Sequence, residues 1–273
     1  MRGGWVSILA LILWIAVRPA SAGAMLGESG PGPTRLILVA DPWCPYNCDP
    51  AGGREGYMVD LARAILEPLG YSIDYRVVTW AVALRMVEEG HADGIIGAGR
   101  DEAVALVPSS PLGRSAKGVL SRTGYPFAWS GVESFRSHRL AVIRGYRYGQ
   151  MLDGYIAQNA DSPARITTLS GFGYNQLTQA VRLLLAGQVD LVVDDVNVLS
   201  WKVDQFGLRG RTDLTDLGDA EDVFIALSPR RPNARELARL LDDGIHRLRQ
   251  EGRLAAILDR YGLKDWAVPA NAH

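Results

Sequence analysis

Gly90-His91-Ala92-Asp93-Gly94-Ile95-Ile96 closes one segment of the chain, and Gly187-Gln188-Val189-Asp190-Leu191-Val192-Val193 closes another. Each follows an amphipathic helical stretch and leads into a short apolar strand. The approach to each echo also runs in the same order: strand, helix, strand, helix, strand. Two copies of that order imply two similar α/β lobes. Two lobes in one chain create a cleft between them, and such clefts are where small ligands bind.

Working outward, the first copy starts with an apolar strand at residues 36–40. Met58, Leu61, Ala62, Ile65 and Leu69 then recur at helical spacing, with one face suited to cover a sheet. Residues 71–78 alternate as a second strand, and residues 80–89 read as a helix stopped by Gly90. Ile95-Ile96 forms the third strand. The second copy has a strand at 140–143, a helix at 148–158, a strand at 165–169 and a helical stripe of Leu177, Ala180, Val181 and Leu184 stopped by Gly187. Residues 191–193 form its buried strand. Continuous apolar strands between helices predict a mainly parallel sheet in each lobe, flanked by helices. Another strand at 223–227 precedes C-terminal helices, whose first turn suits Pro232. The expected organisation is lobe 1 over 34–125, lobe 2 over 129–222 and a return to lobe 1 over 223–266. Two linking segments, near 125–129 and 222–226, form a two-stranded hinge.

Length and composition bound the function. With 273 residues, 48% of them hydrophobic, the chain can fill two cores of ordinary size. Its 29 Lys and Arg against 30 Asp and Glu leave a formal net charge of -1, so no global basic field draws in nucleic acid. At the N-terminus, Arg2, an apolar run over 5–17, Pro19 and the small residues Ala20-Ser21-Ala22 have the layout of a secretory signal peptide over 1–22. The run is short for a membrane span of ~20 residues. The expectation is cleavage after Ala22, with Ala24 the second choice, and a periplasmic protein. Both cysteines lie in Cys44-Pro45-Tyr46-Asn47-Cys48, and nearby cysteines in an oxidising compartment pair. A free pair and a metal site are the alternatives; the four His are scattered, and neither a metal nor a cofactor is expected.

Signals of catalysis are weak. The chain has no Gly-x-Ser-x-Gly elbow and no His-Glu-x-x-His motif. Gly97-Ala98-Gly99 follows a strand as in a dinucleotide fingerprint, but Glu102 stands where the third glycine belongs. These glycines are expected to form a strand-end turn that brings backbone N–H groups to the cleft. Asp194-Asp195 ends the 191–193 strand. Asp195 is expected to face the cleft as the anchor of a cationic nitrogen, the alternative being a helix N-cap for Val196 onward. Tyr46 and Trp80, with Trp43 and Tyr57 near them, offer aromatic walls at strand ends. Arg100 is a candidate carboxylate clamp or, in the plainer reading, a solvated surface arginine.

Pro45-Tyr46, Gly56-Tyr57-Met58-Val59-Asp60-Leu61, Gly90-His91-Ala92-Asp93, Gly145-Tyr146 and the run from Gly187 to Asp195 occur in an order that resembles bacterial solute-binding proteins of family 3, the periplasmic receptors of polar amino-acid ABC importers. The closing stretch 252–262 is similar to that family's C-terminal helix. The resemblance implies a two-lobed periplasmic binding protein fold of type II. It implies that Tyr46 stacks on the ligand and that Asp195 binds an α-ammonium; Gly97, Ala98 and Tyr146 are expected to line the site with them. This chain departs from the family's Thr-x-x-Arg motif, since Arg100-Asp101-Glu102-Ala103-Val104 has neither the threonine nor an arginine in register. Arg100 can substitute only from a shifted position; otherwise the ligand is not a standard α-amino acid.

The resulting expectation is a monomeric, non-catalytic receptor for a small polar ligand, amino-acid-like or amine-containing, which docks when closed on an ABC permease. The rivals are a dehydratase-type enzyme on the same scaffold, which needs a cleft acid or base such as Asp195, and a sensory protein that presents ligand to a membrane receptor.

Overall fold

Strand β1 (Thr34–Ala40) is apolar from Leu36 onward and is buried at its last three residues. Parallel neighbours supply its backbone partners: β2 (Tyr71–Val77), reached through helix α1 (Tyr57–Leu66), and β3 (Gly94–Ala98), reached through α2 (Trp80–Glu88). The computed structural model describes Met1, residues 32–171 and residues 175–267. The signal-peptide reading of residues 2–22 lies outside the described residues. Helix α1 buries Met58, Leu61, Ala62 and Ile65 of the stripe read from the sequence, whereas Leu69 lies past the end of the helix in a 3-10 turn closed by Gly70 and is exposed. Beyond β3 come a short helix α3 (Arg100–Ala103) and a two-residue strand β4 (Val107–Pro108).

Lobe 2 repeats the plan. β6 (Leu140–Ile143) pairs in parallel with β7 (Ile166–Leu169) and β8 (Leu191–Asp195). Helices α4 (Gln150–Asn159), α5 (Asn175–Leu185) and α6 (Val196–Gln205) connect or follow these strands. Two long strands join the lobes. β5 (Gly113–Arg122) and β9 (Thr212–Leu227) pair antiparallel with each other from Gly113↔Val223 to Arg122↔Thr212. Over Lys117–Ser121, β5 also pairs with β8 in lobe 2, while the end of β9 pairs with β3 in lobe 1. The strand order is therefore continuous, β2-β1-β3-β9-β5-β8-β6-β7, and the sheet is mixed.

The first link is thus the start of β5, not residues 125–129. Tyr125, Phe127 and Trp129 instead pack on the lobe 2 core around Phe135. Although most of it is buried between β9 and β8, Gly113–Arg122 mixes Ser, Lys and Arg with its apolar residues and lacks the apolar run that marks the other strands, so the sequence hides this link. The same holds for the first half of β9, of which only the apolar end was legible.

The chain returns to lobe 1 with α7 (Ala234–Gln250) and α8 (Arg253–Asp259). Leu237, Leu241, Ile245 and Leu248 bury one face of α7. Gly244 lets it approach α1, since a Cβ there would stand 2.2 Å from Ile65. No helix among the described residues is long and apolar enough to cross a membrane.

Candidate functional site

The segment after β1 turns back on itself at once. Cys44 and Cys48 form a disulfide, and Trp43 N–H donates to the Asn47 carbonyl at 2.6 Å. The return of the chain presses on this loop: a Cβ at Gly56, whose φ is +100°, would lie 2.4 Å from the Tyr46 carbonyl oxygen. Glycine alone meets both requirements at little cost. Within the loop, Trp43 stacks on Tyr46 with ring centroids 4.2 Å apart, and Tyr46 lies against Tyr57 at 5.4 Å. Asn47 is 1% exposed, and its Nδ2 donates to the Asp41 carbonyl at 2.5 Å.

Four hydrogen bonds tie the lobes to each other. Tyr146 Oη, in the loop after β6, donates to the Asp41 carboxylate. Trp43 Nε1 donates to Asp194 Oδ1 at 3.0 Å. Asn197 Nδ2 donates to Tyr46 Oη at 2.9 Å, and that hydroxyl stands 3.1 Å from Asp195 Oδ2. Between the lobes remains a cleft with about 670 Å³ of empty space, partly continuous with solvent. Its wall draws on lobe 1 for Asp41, Trp43, Asn47, Trp80 and Gly97, on lobe 2 for Tyr146, Arg147 and Asp153, and on the hinge strands for Lys117 and Glu221.

Of the expected site residues, the structure brings Trp80, Gly97 and Tyr146 to this wall. Gly97 has φ +84°, and a Cβ there would meet Asn47 Oδ1 at 2.9 Å, so the turn after β3 depends on glycine. Trp43, whose role the sequence left open, also lines the wall. Ala98 is fully buried in β3. Arg100 points to solvent, 76% exposed, and pairs with Asp222 at 3.6 Å. Tyr46 and Asp195 sit behind the wall. Asp195 is 1% exposed and accepts from three backbone donors, Asn197 N–H at 2.8 Å and Val198 N–H at 3.0 Å on Oδ1 and Ala116 N–H at 2.9 Å on Oδ2, while the Tyr46 hydroxyl lies 3.1 Å from Oδ2 and 2.7 Å from the Arg114 carbonyl. It caps α6 and ties that helix to the hinge strand β5, and it stands apart from the cavity because its lone pairs are already committed.

Several wall residues escaped the sequence reading. Asp41 is the first residue past β1, a position as suggestive as the turn after β3. Lys117 and Glu221 lie on hinge strands that lack an apolar signature; Lys117 Nζ pairs with Glu221 Oε1 at 2.7 Å. Glu102 Oε2 accepts from Gly99 N–H at 3.1 Å, which holds α3 to the end of β3.

Burial dominates the electrostatics. Asp41 is pushed up to about 6 by loss of solvent, opposed by the Tyr146 hydrogen bond and assisted by the nearby Asp194. Asp195 is pushed up to about 6, again chiefly by burial. Asp194 is raised for the same reason, although Trp43 and the cations Lys117 and Lys202 favour its charge. Burial lowers Lys202, on α6, to about 8. Among the described residues no group of His, Cys, Asp and Glu is arranged to hold a metal ion. An aromatic, charge-lined cleft between closing lobes can sequester a small polar molecule.

Solved structures share this architecture. A histidine kinase sensor domain with similarity to periplasmic binding proteins matches with a TM-score of 0.66 and 21% identity, over 85% of this chain and 96% of the other. An ancestral arginine-binding protein bound to arginine matches with a TM-score of 0.68 and 16% identity, over 84% and 98%. A Streptococcus mutans structure, described with glutathione import and a cystine ABC importer, matches with a TM-score of 0.69 and 14% identity, over 84% and 95%. No curated protein matches the chain. At these identities the structures establish the fold: two-lobed, α/β, of the periplasmic-binding-protein kind. The model of the bacterial extracellular solute-binding proteins, family 3, matches residues 36–264, nearly the whole described chain, and the protein belongs to that family of binding proteins.

Proposed function

We propose that the protein is exported to the periplasm, captures a small polar ligand in the cleft between its lobes and presents it in the closed form to an ABC importer. The observation that carries this reading is the cleft wall itself: both lobes and both hinge strands contribute to one cavity, so ligand contacts made on both sides favour closure. Trp43, Trp80, Gly97 and Tyr146 form the ligand wall in this reading, and Asp195 positions α6 and Tyr46 behind it. The ligand leaves chemically unchanged, as the binding-protein family implies.

A thermal-shift screen of amino acids, amines and organic acids tests the reading, followed by calorimetry on each hit. Trp43 and Trp80 border the cavity, so a true ligand changes tryptophan fluorescence with the same midpoint as the heat signal. A hit recovered chemically altered from the mixture would turn the reading toward an enzyme. Failure of every class to bind would remove the receptor role.

A second reading is favoured by the kinase sensor domain among the structural matches. In it, the closed form engages a membrane kinase in place of a permease. Crosslinking of the ligand-loaded protein in native membranes separates the two by the captured partner's mass.

A further inference from the structure

We infer that the cleft selects an organic cation without a carboxylate, an amine or guanidinium compound, over the corresponding α-amino acid; this rests on the receptor reading above and names its ligand class.

The first ground is that the cations around the cleft are already held. Lys117 Nζ sits 2.7 Å from Glu221 Oε1 and 3.3 Å from Ser115 Oγ. Arg147 pairs with Asp153 at 3.1 Å and reaches Asp101 across the cleft at 3.9 Å. Arg100 pairs with Asp222 and does not line the cavity. An entering carboxylate must therefore share its cation with an acid of the protein, which weakens its hold, whereas an entering cation meets acids in excess of cations on the same wall.

The second ground is charge. Asp41, Asp101, Glu102, Asp153 and Glu221 all line the cleft, against Lys117 and Arg147. Glu102 and Glu221 converge: a point one bond length from the Gly99 Cα lies 2.9 Å from Glu102 Oε2 and 3.6 Å from Glu221 Oε2. Burial raises Glu102, and the charge of Glu221 raises it further, so the pair gains from a cation placed between them.

The third ground is independent of the acids. Asn47 Oδ1 is buried and has no hydrogen-bond partner. The amide cannot be turned over, because Nδ2 must face the Asp41 carbonyl that it donates to. The oxygen therefore stays an unpaired acceptor on a residue of the wall, beside Gly97. An unpaired buried acceptor calls for a donor, which an ammonium or guanidinium supplies and a carboxylate does not. The aromatic rings of Trp43 and Trp80 belong to the same wall, and aromatic rings attract cations.

Calorimetry with matched pairs tests the inference: agmatine against arginine, cadaverine against lysine, and tyramine against tyrosine, at pH 7.5 in low salt. At least one amine should bind at least tenfold more tightly than its amino acid. Glu102→Gln keeps an acceptor for Gly99 N–H while removing charge, and it should weaken that amine about tenfold with an unchanged melting temperature of the ligand-free protein. Tighter binding of the amino acid in each pair would overturn the ligand class and leave the receptor role standing. Full amine affinity in Glu102→Gln would overturn it also. Binding of organic acids alone would do the same, whereas no binding by any class would remove the receptor role with it.

Discussion

The two lobes begin their third strand in the same way and end it differently. In lobe 1, Asp93 Oδ2 accepts from Ile37 N–H at 2.7 Å, Asp93 N–H donates back to the Ile37 carbonyl at 2.8 Å, and Arg231 pairs with Oδ1. In lobe 2, Asp190 Oδ2 accepts from Arg139 N–H at 2.9 Å, Asp190 N–H donates to the Arg139 carbonyl at 2.9 Å, and the Arg139 guanidinium pairs with the same carboxylate. Each aspartate thus clamps the start of its strand to the central strand of its lobe. At the far end, β3 runs into the Gly97 turn beside the cleft, whereas β8 runs into the two buried acids Asp194 and Asp195. The repeated part of the sequence is scaffold. What differs between the copies faces, or backs, the ligand cleft.

The largest effect should come from the non-repeated end. Asp195→Ala strands the N–H groups of Ala116, Asn197 and Val198 in the interior. Each orphaned donor costs ~1–3 kcal/mol, partly offset because the buried charge also goes, so a loss of about 3 kcal/mol in urea unfolding is expected. Asp195→Asn keeps one oxygen for the cap but sets an NH₂ against the Ala116 N–H; about 2 kcal/mol is expected. If Asp195→Asn unfolds like the wild type and binds ligand poorly, Asp195 is a ligand anchor after all and the cleft opens further than this closed form.

The repeated clamps should differ in weight. The Arg231 side chain is 17% exposed and that of Arg139 is 40% exposed. Asp93→Ala leaves the more buried cation and should cost about 2–3 kcal/mol; Asp190→Ala should cost about 1–2 kcal/mol, discounted for solvent screening. Denaturant midpoints of the two variants check this. Equal losses would mean that the backbone N–H contacts outweigh the ion pairs.

The loops after the first strands give a third contrast. Lobe 1 staples its loop with Cys44–Cys48; lobe 2 turns at Gly145 and Gly149, both at positive φ. Closing so short a loop is worth about 2 kcal/mol in the chain-entropy model. Unfolding of a Cys44→Ser/Cys48→Ser variant should show that loss, and ligand affinity should fall further, since Trp43 and Asn47 ride on the loop. An unchanged affinity would mean that the packing on Tyr57 and Gly56 holds the loop unaided.

The echo at Asp93 and Asp190 was legible because it is local: a helix stop, a clamp and an apolar run within seven residues. The resemblance to the family carried the two-lobed plan with it. The hinge strands were hidden, since Lys117 and Glu221 sit in stretches whose partner strands are a hundred residues away and whose faces are half polar. The disulfide could be read from spacing and compartment. Asp195 shows the limit most clearly. Sequence places it at a strand end, and a strand end offers both a cleft wall and a helix cap; which one the carboxylate takes depends on Ala116 and Tyr46, contacts of 79 and 149 residues' separation.

The smallest expected effect concerns protons, and it compares the acid after β1 with the acid at the end of β8. Asp41 and Asp195 are both held near 6 in the folded protein, above the usual carboxylate value of 3.8. Between those values the folded chain binds more protons than the unfolded one, so stability rises as pH falls through 6 and is lost again as pH climbs back. The carboxylates held low, Asp74, Asp190 and Asp265, act below 3.8, and Lys202 acts above about 8, so neither disturbs this window. From pH 7.5 to pH 5 the ligand-free protein should gain on the order of 1 kcal/mol per group, read from urea midpoints. Burial is what raises Asp41, and Tyr146 packs against it from the opposite lobe, so Asp41 contributes only while the lobes are closed. Asp41→Asn should therefore remove its share of the pH dependence, and the remainder should belong to Asp195, its neighbour Asp194 and Glu102, all raised by burial. A wild-type midpoint that stays flat or falls on acidification would mean that the carboxylates are hydrated and that the ligand-free lobes stand open.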